Sequence, residues 1–110
     1  MKILFVCSRN KWRSLTAEHL FEGVGGHTVR SAGTESGARV RVTEGLVGWA
    51  DVIFVMEKKH YARIRERFAK SAATKNLICL HIPDEYEYMD DDLVNLLKST
   101  VSEHIDLGKV

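Results

Sequence analysis

Four apolar runs of strand length punctuate the chain, at residues 2–6, 27–31, 51–56 and 76–80, and each is followed by a stretch whose apolar positions recur every three or four residues. The first of these helical stretches covers residues 14–23 and sets Ala17, Leu20 and Phe21 on one face. A weaker pattern covers 39–48, and residues 58–70 align Tyr61, Ile64 and Phe68. The last, 90–105, aligns Leu93, Leu96, Leu97, Val101 and Ile105. Strand and helix therefore alternate four times. With connections this short, the alternation predicts an α/β fold, a single three-layer domain over residues 1–110. Its four-stranded parallel sheet is expected in the order 2-1-3-4, with helices on both faces. That order brings the loop after the first strand to the topological switch, where open α/β sheets bind ligands. Gly25-Gly26 and residues 33–37 read as turns.

Composition narrows the function classes. With 110 residues the chain has room for one small core. Its 16 basic and 15 acidic residues give no global pull toward nucleic acid or anionic membrane. The opening run MKILFVCSRN is too short for a signal peptide and nothing approaches a transmembrane span, so the expected location is the cytoplasm, with no membrane partner. Two cysteines without a CxxC pair, and five scattered histidines, argue against a metal, a cofactor or a stable disulfide.

The chemistry concentrates after the first strand, in KILFVCSRNKWRS. Cys7 and Arg13 bracket a loop long enough to curl, so that backbone N–H groups of Ser8, Arg9, Asn10, Lys11 and Trp12 point inward. Backed by a helix that starts near Ser14, such a nest is an anion site. Arg13 adds a planar fork that matches two phosphate oxygens. A positive site of this kind favours the thiolate of Cys7, the nucleophilic form. Blander readings stand beside these. Cys7 could be a small buried hydrophobe, and Arg13 an ordinary charge at a helix start, although a cation there is unfavourable unless it serves an anion. Cys79 and Trp49 read as core, and Asp90-Asp91-Asp92 as a helix cap. The six basic and two acidic residues of 57–70 read as a solvated face, not an RNA site.

Four segments, in order, resemble the low-molecular-weight protein tyrosine phosphatases, whose fold is shared by thioredoxin-coupled arsenate reductases. They are CSRNKWRSLTAE, RSAGT at 30–34, ADVIFVME at 50–57 and IPDEY at 82–86. The resemblance implies Cys7 as nucleophile, Arg13 as transition-state clamp and Asp84 as general acid. It implies Asn10 and Ser14 as supports of the loop, with Ser31 bracing it from the second strand, and Tyr86 as a wall against an aromatic ring. Trp12 stands where relatives often keep a second cysteine, and Glu85 replaces the family's proline; Glu85 and Glu87 are local competitors of Asp84 for the acid role. The segment at 35–48 is shortened and lacks the family's loop-supporting histidine. Lys11 occupies a rim position that is often apolar. The implied activity is metal-independent hydrolysis of phosphotyrosine or another aryl phosphate through a cysteinyl-phosphate, on a phosphorylated protein or a small ester. Arsenate reduction on the same fold, a phosphocarrier role, and a phosphate- or RNA-binding module without turnover are the competing readings.

Overall fold

In the computed structural model, residues 1–107 are described, and the last three positions of the expected domain, 108–110, lie outside the described residues. Strand β1 (Lys2–Cys7) is buried from Ile3 onward, which is what a run apolar on both faces requires at the centre of a parallel sheet. It is flanked by β2 (Thr28–Gly33) and β3 (Val52–Val55), and β4 (Asn76–Cys79) closes the far edge. The order is β2-β1-β3-β4 with every pair parallel, as the alternation predicts. Cys7 pairs with Gly33, and Val6 with Val55, so the strands end together at one rim.

Strand alternation divides the apolar side chains into two layers. Ile3, Phe5 and Cys7 pack with residues of α1 (Arg13–Phe21) and α5 (Asp91–Ser102). Phe5 is the hinge of that layer, its ring stacked 5.7 Å from Phe21 and 5.3 Å from Phe54. Leu4 and Val6 point the other way, toward α2 (Glu44–Trp49), α3 (Lys58–Arg67) and α4 (Ala69–Ala72).

The last helix ends at Ser102, short of the expected 105, and two others depart further from their expected extents for local reasons. The pattern at 39–48 becomes helical only at Glu44, capped by the Thr43 hydroxyl, which accepts from the Leu46 amide at 3.2 Å. Residues before it are committed elsewhere: the Gly33 amide donates to the Val40 carbonyl, and the Val42 amide to the Gly33 carbonyl. The helix expected over 58–70 breaks at Phe68, whose backbone (φ −126°, ψ 38°) leaves the helical region while its ring still packs on the second layer. Asp90 caps α5 as expected, its carboxylate accepting from the amides of Asp92 and Leu93 at 2.8 and 3.4 Å. Trp49 is half-buried, and the Arg30 guanidinium lies 4.6 Å over its ring. Cys79 is half-buried in the layer opposite Cys7, its sulfur 3.6 Å from His81 Nδ1. No helix of the described residues is long and apolar enough to cross a membrane.

Candidate active site

The loop after β1 takes its shape from its neighbour. Gly33 must be glycine: a Cβ there would stand 2.5 Å from the Ser8 carbonyl oxygen and 2.6 Å from Ala38 Cβ. That close approach lets the segment after β2 satisfy the loop from outside. The amides of Thr34, Glu35 and Arg39 donate to the carbonyls of Cys7, Ser8 and Arg9 at 2.9, 2.9 and 3.0 Å. Three consecutive loop carbonyls are thereby engaged outward. The reversal occurs at Asn10, fully buried at φ 56°, a left-handed conformation that asparagine tolerates better than most residues.

Asn10 and Ser14 converge beneath the thiol. The Asn10 amide donates to Cys7 Sγ at 3.2 Å, and its side-chain Nδ2 donates to Ser14 Oγ at 2.8 Å. Ser14 Oγ lies 3.0 Å from Cys7 Sγ and 3.4 Å from the Ala32 carbonyl. Ser14 accepts from Asn10, and its one proton goes either to the Ala32 carbonyl or, when Cys7 is a thiolate, to the nearer sulfur. Asn10 Oδ1 is the one buried side-chain N or O without a partner among the described residues.

Arg13 opens α1, whose first turn contains no acidic residue, and is only 2% exposed. Its Nη1 donates to Glu57 Oε1 at 2.5 Å and to the Ile82 carbonyl at 2.9 Å, while Nε stands 3.8 Å from Asp84 Oδ1. One edge of the guanidinium is thus anchored from β3–α3 and from the strand-4 exit. Burial raises the Glu57 carboxyl, but the Arg13 hydrogen bond and charge outweigh it and hold the group below its ordinary 4.5.

Glu57 and His60 form a reciprocal capping pair at the start of α3, in which the Glu57 amide donates to His60 Nδ1 at 3.0 Å. The other ring nitrogen, Nε2, lies 2.9 Å from Ser8 Oγ. Burial, reinforced by the Arg13 charge, lowers the His60 pKa to about 4. At neutral pH the ring is therefore uncharged. With Nδ1 accepting, Nε2 carries the hydrogen and donates to Ser8, so α3 grips the loop after β1 directly.

Above these groups lies a cleft of about 330 Å³ lined by Cys7, Ser8, Arg9, Lys11, Trp12, Arg13, Glu35, Lys59 and Asp84. Of the residues the sequence singles out, Asn10 and Ser14 sit under the floor and the rest of the loop lines the cleft. Two expectations fail. Ser31 does not brace the loop; its hydroxyl donates to Glu18 Oε1 at 2.6 Å and ties β2 to α1. Tyr86 does not wall the cleft, because its ring packs half-buried on the apolar layer of β1, α1 and α5. Sequence reading misses Glu57, His60, Lys59 and Glu35. The three-residue spacing of Glu57 and His60 at a helix start is the one local signal, and it makes good the histidine support absent from the shortened segment.

No protein-family model matches the chain, and no curated protein matches it. Its structure resembles several solved ones over nearly their full length. The tyrosine phosphatase Wzb from Escherichia coli K30, in complex with phosphate, is 22% identical over 93% of this chain and 94% of its own, with a TM-score of 0.75. A YwlE arginine phosphatase mutant with a phosphorylated active-site serine is 23% identical over 94% and 95%, with a TM-score of 0.73. A low-molecular-weight protein tyrosine phosphatase from Streptococcus pyogenes is 14% identical over 96% and 93%, with a TM-score of 0.73. The chain has the fold of the low-molecular-weight protein tyrosine phosphatases.

Proposed function

We propose that the protein is a metal-independent phosphatase that hydrolyses phosphotyrosine or a related aryl phosphate through a cysteinyl-phosphate. The observation that carries this reading is the Cys7 sulfur at the floor of the cleft, held by the Asn10 amide and the Ser14 hydroxyl beside a buried, one-edge-anchored Arg13. The Cys7 thiolate attacks phosphorus and the bond to the aryl oxygen breaks, with Asp84 delivering a proton to that oxygen. Arg13 and the loop amides hold the phosphoryl oxygens as charge redistributes. Asp84, now ionised, takes a proton from water; the resulting hydroxide displaces Cys7 and releases phosphate. Ser14 donates to the sulfur as thiolate character returns.

The neighbours include both tyrosine and arginine phosphatases. Lys11 and Lys59 line this cleft and would repel the guanidinium of phosphoarginine, so a neutral aryl leaving group fits better. Arsenate reduction requires further thiols to carry the oxidation away, and Cys79 packs in the opposite layer. Free thiols suit a reducing cytoplasm.

The test is hydrolysis of p-nitrophenyl phosphate with chelator present, alongside titration with inorganic phosphate. Cys7→Ser should abolish turnover and keep phosphate binding, and Arg13→Ala should lose both. Retained turnover in Cys7→Ser, or strict dependence on added metal, sinks the mechanism; binding without turnover in the wild type leaves a phosphate-binding module.

A further inference from the structure

A second pocket, of about 570 Å³, opens beside the catalytic cleft and shares Arg9 and Glu35 with it. Its remaining walls come from residues 34–37 and from Arg63 and Arg67 of α3. Lys59, Arg63 and Arg67 recur every four residues and therefore share one helix face. Lys59 lines the cleft and the two arginines line the second pocket. A single cationic row thus leads from one concavity into the other.

The charge in this pocket is poorly compensated. Three guanidiniums face one carboxylate, that of Glu35, whose contact with Arg9 spans 3.2 Å between side chains 48% and 74% exposed. A pair this exposed contributes at most about 1 kcal/mol, so an incoming anion can exchange for it. Arg67 donates to the Thr34 carbonyl at 3.4 Å, a neutral acceptor that leaves its charge in place. Arg63 forms no ion pair with another described residue. All three cations carry planar forks, which favour carboxylate and phosphate oxygens over a diffuse negative field.

We propose that this pocket is a second anion subsite, selecting phosphotyrosyl polypeptides that carry another anionic oxygen group, a carboxylate or a second phosphate, beside the scissile phosphate. The proposal rests on the phosphatase reading and names its substrate class. A lone aryl phosphate occupies the cleft alone. Only a substrate with a second arm reaches past Arg9 to Arg63 and Arg67.

Three phosphotyrosyl peptides test it, with glutamate, a second phosphorylated residue, or glutamine next to the phosphotyrosine. The two anionic peptides should exceed the neutral one roughly tenfold in kcat/KM at low salt, a factor worth about 1.4 kcal/mol. The advantage should shrink as salt shortens the reach of exposed charge. Arg63→Gln combined with Arg67→Gln should erase it, and p-nitrophenyl phosphate, which has no second arm, reports whether the catalytic loop is intact. Preference for one anionic peptide over the other identifies which group the subsite reads. Equal kcat/KM for all three, or a preference that survives the double substitution, overturns the proposal. Should neither the peptides nor p-nitrophenyl phosphate be hydrolysed, the phosphatase reading fails, and titration of the same peptides into Cys7→Ser still reads the subsite; equal affinities there overturn it.

Discussion

Two carboxylates meet one guanidinium in the cleft, and their surroundings assign them different tasks. Glu57 is committed to Arg13 Nη1 and held ionised by it, so it cannot carry a proton to a leaving group at neutral pH. Asp84 stands 3.8 Å from Nε, more than half exposed, and is free to turn toward the substrate oxygen. Asp84→Asn should therefore slow cysteinyl-phosphate formation strongly for phosphotyrosine and weakly for an activated nitrophenyl ester. General acid catalysis contributes about 10²- to 10⁴-fold, most where the leaving group is poor. Glu57→Gln should instead weaken phosphate binding and slow both substrates alike, because it loosens Arg13. Single-turnover rates for the two esters separate the cases; a leaving-group-dependent loss in Glu57→Gln, absent from Asp84→Asn, would reverse the assignment. Cys7, Arg13 and Ser14 were legible in the sequence because one short loop carries them all. Glu57 and His60 were not, since they reach Arg13 and Ser8 from 44 and 52 positions away.

The strands were readable because each is buried on both faces or paired at an edge, and apolar runs of that length have few other uses. The irregular segment at 34–42 was not. Its hydrogen bonds go to the loop after β1 and to Gly33, and nothing in its composition reveals those partners. Gly33 makes the dependence testable. An added methyl would collide with the Ser8 carbonyl, a backbone atom that cannot step aside without moving the loop. Gly33→Ala should cost about 1–3 kcal/mol, as overpacking does. It should also weaken phosphate binding by at least roughly tenfold. Denaturant midpoints and phosphate titrations measure the two effects. A variant with wild-type phosphate affinity would show that the approach of β2 does not shape the loop. The break at Phe68 lay equally beyond sequence reading, since Phe68 keeps its place in the apolar stripe while its backbone leaves the helix.

The sheet supplies one rim on which β1, β2 and β3 end together, but the site is completed only when α3 closes on it through His60 and Glu57. Folding and function are therefore coupled through one buried histidine. Its folded pKa of about 4 lies below the ordinary 6.5, so between these values the unfolded chain binds the extra proton. Stability then rises with pH across this window, being fully present above about 6.5 and lost as pH falls toward about 4. The full shift corresponds to about 3 kcal/mol, and about 2 kcal/mol of it should be gone by about pH 5. Glu57 contributes in the same direction but lower, since its depressed carboxyl stabilises the fold above about 4.5 and ceases to as pH drops through its folded value. The two windows are separable. Denaturant midpoints from about pH 7.5 to pH 5 should fall in the wild type and fall less in His60→Gln, so that the gap between them narrows. Protonation also turns Nδ1 into a donor facing the Glu57 amide, which breaks the capping pair and frees the carboxylate that anchors Arg13. Anion binding to the folded protein should weaken only lower, as pH falls through about 4, where the folded ring itself takes up the proton. Sulfate is the suitable probe because its own charge does not change there. A wild-type midpoint that stays level between about pH 7.5 and pH 5, with sulfate affinity unchanged as pH falls on through about 4, would show that His60 is not the link between α3 and the loop.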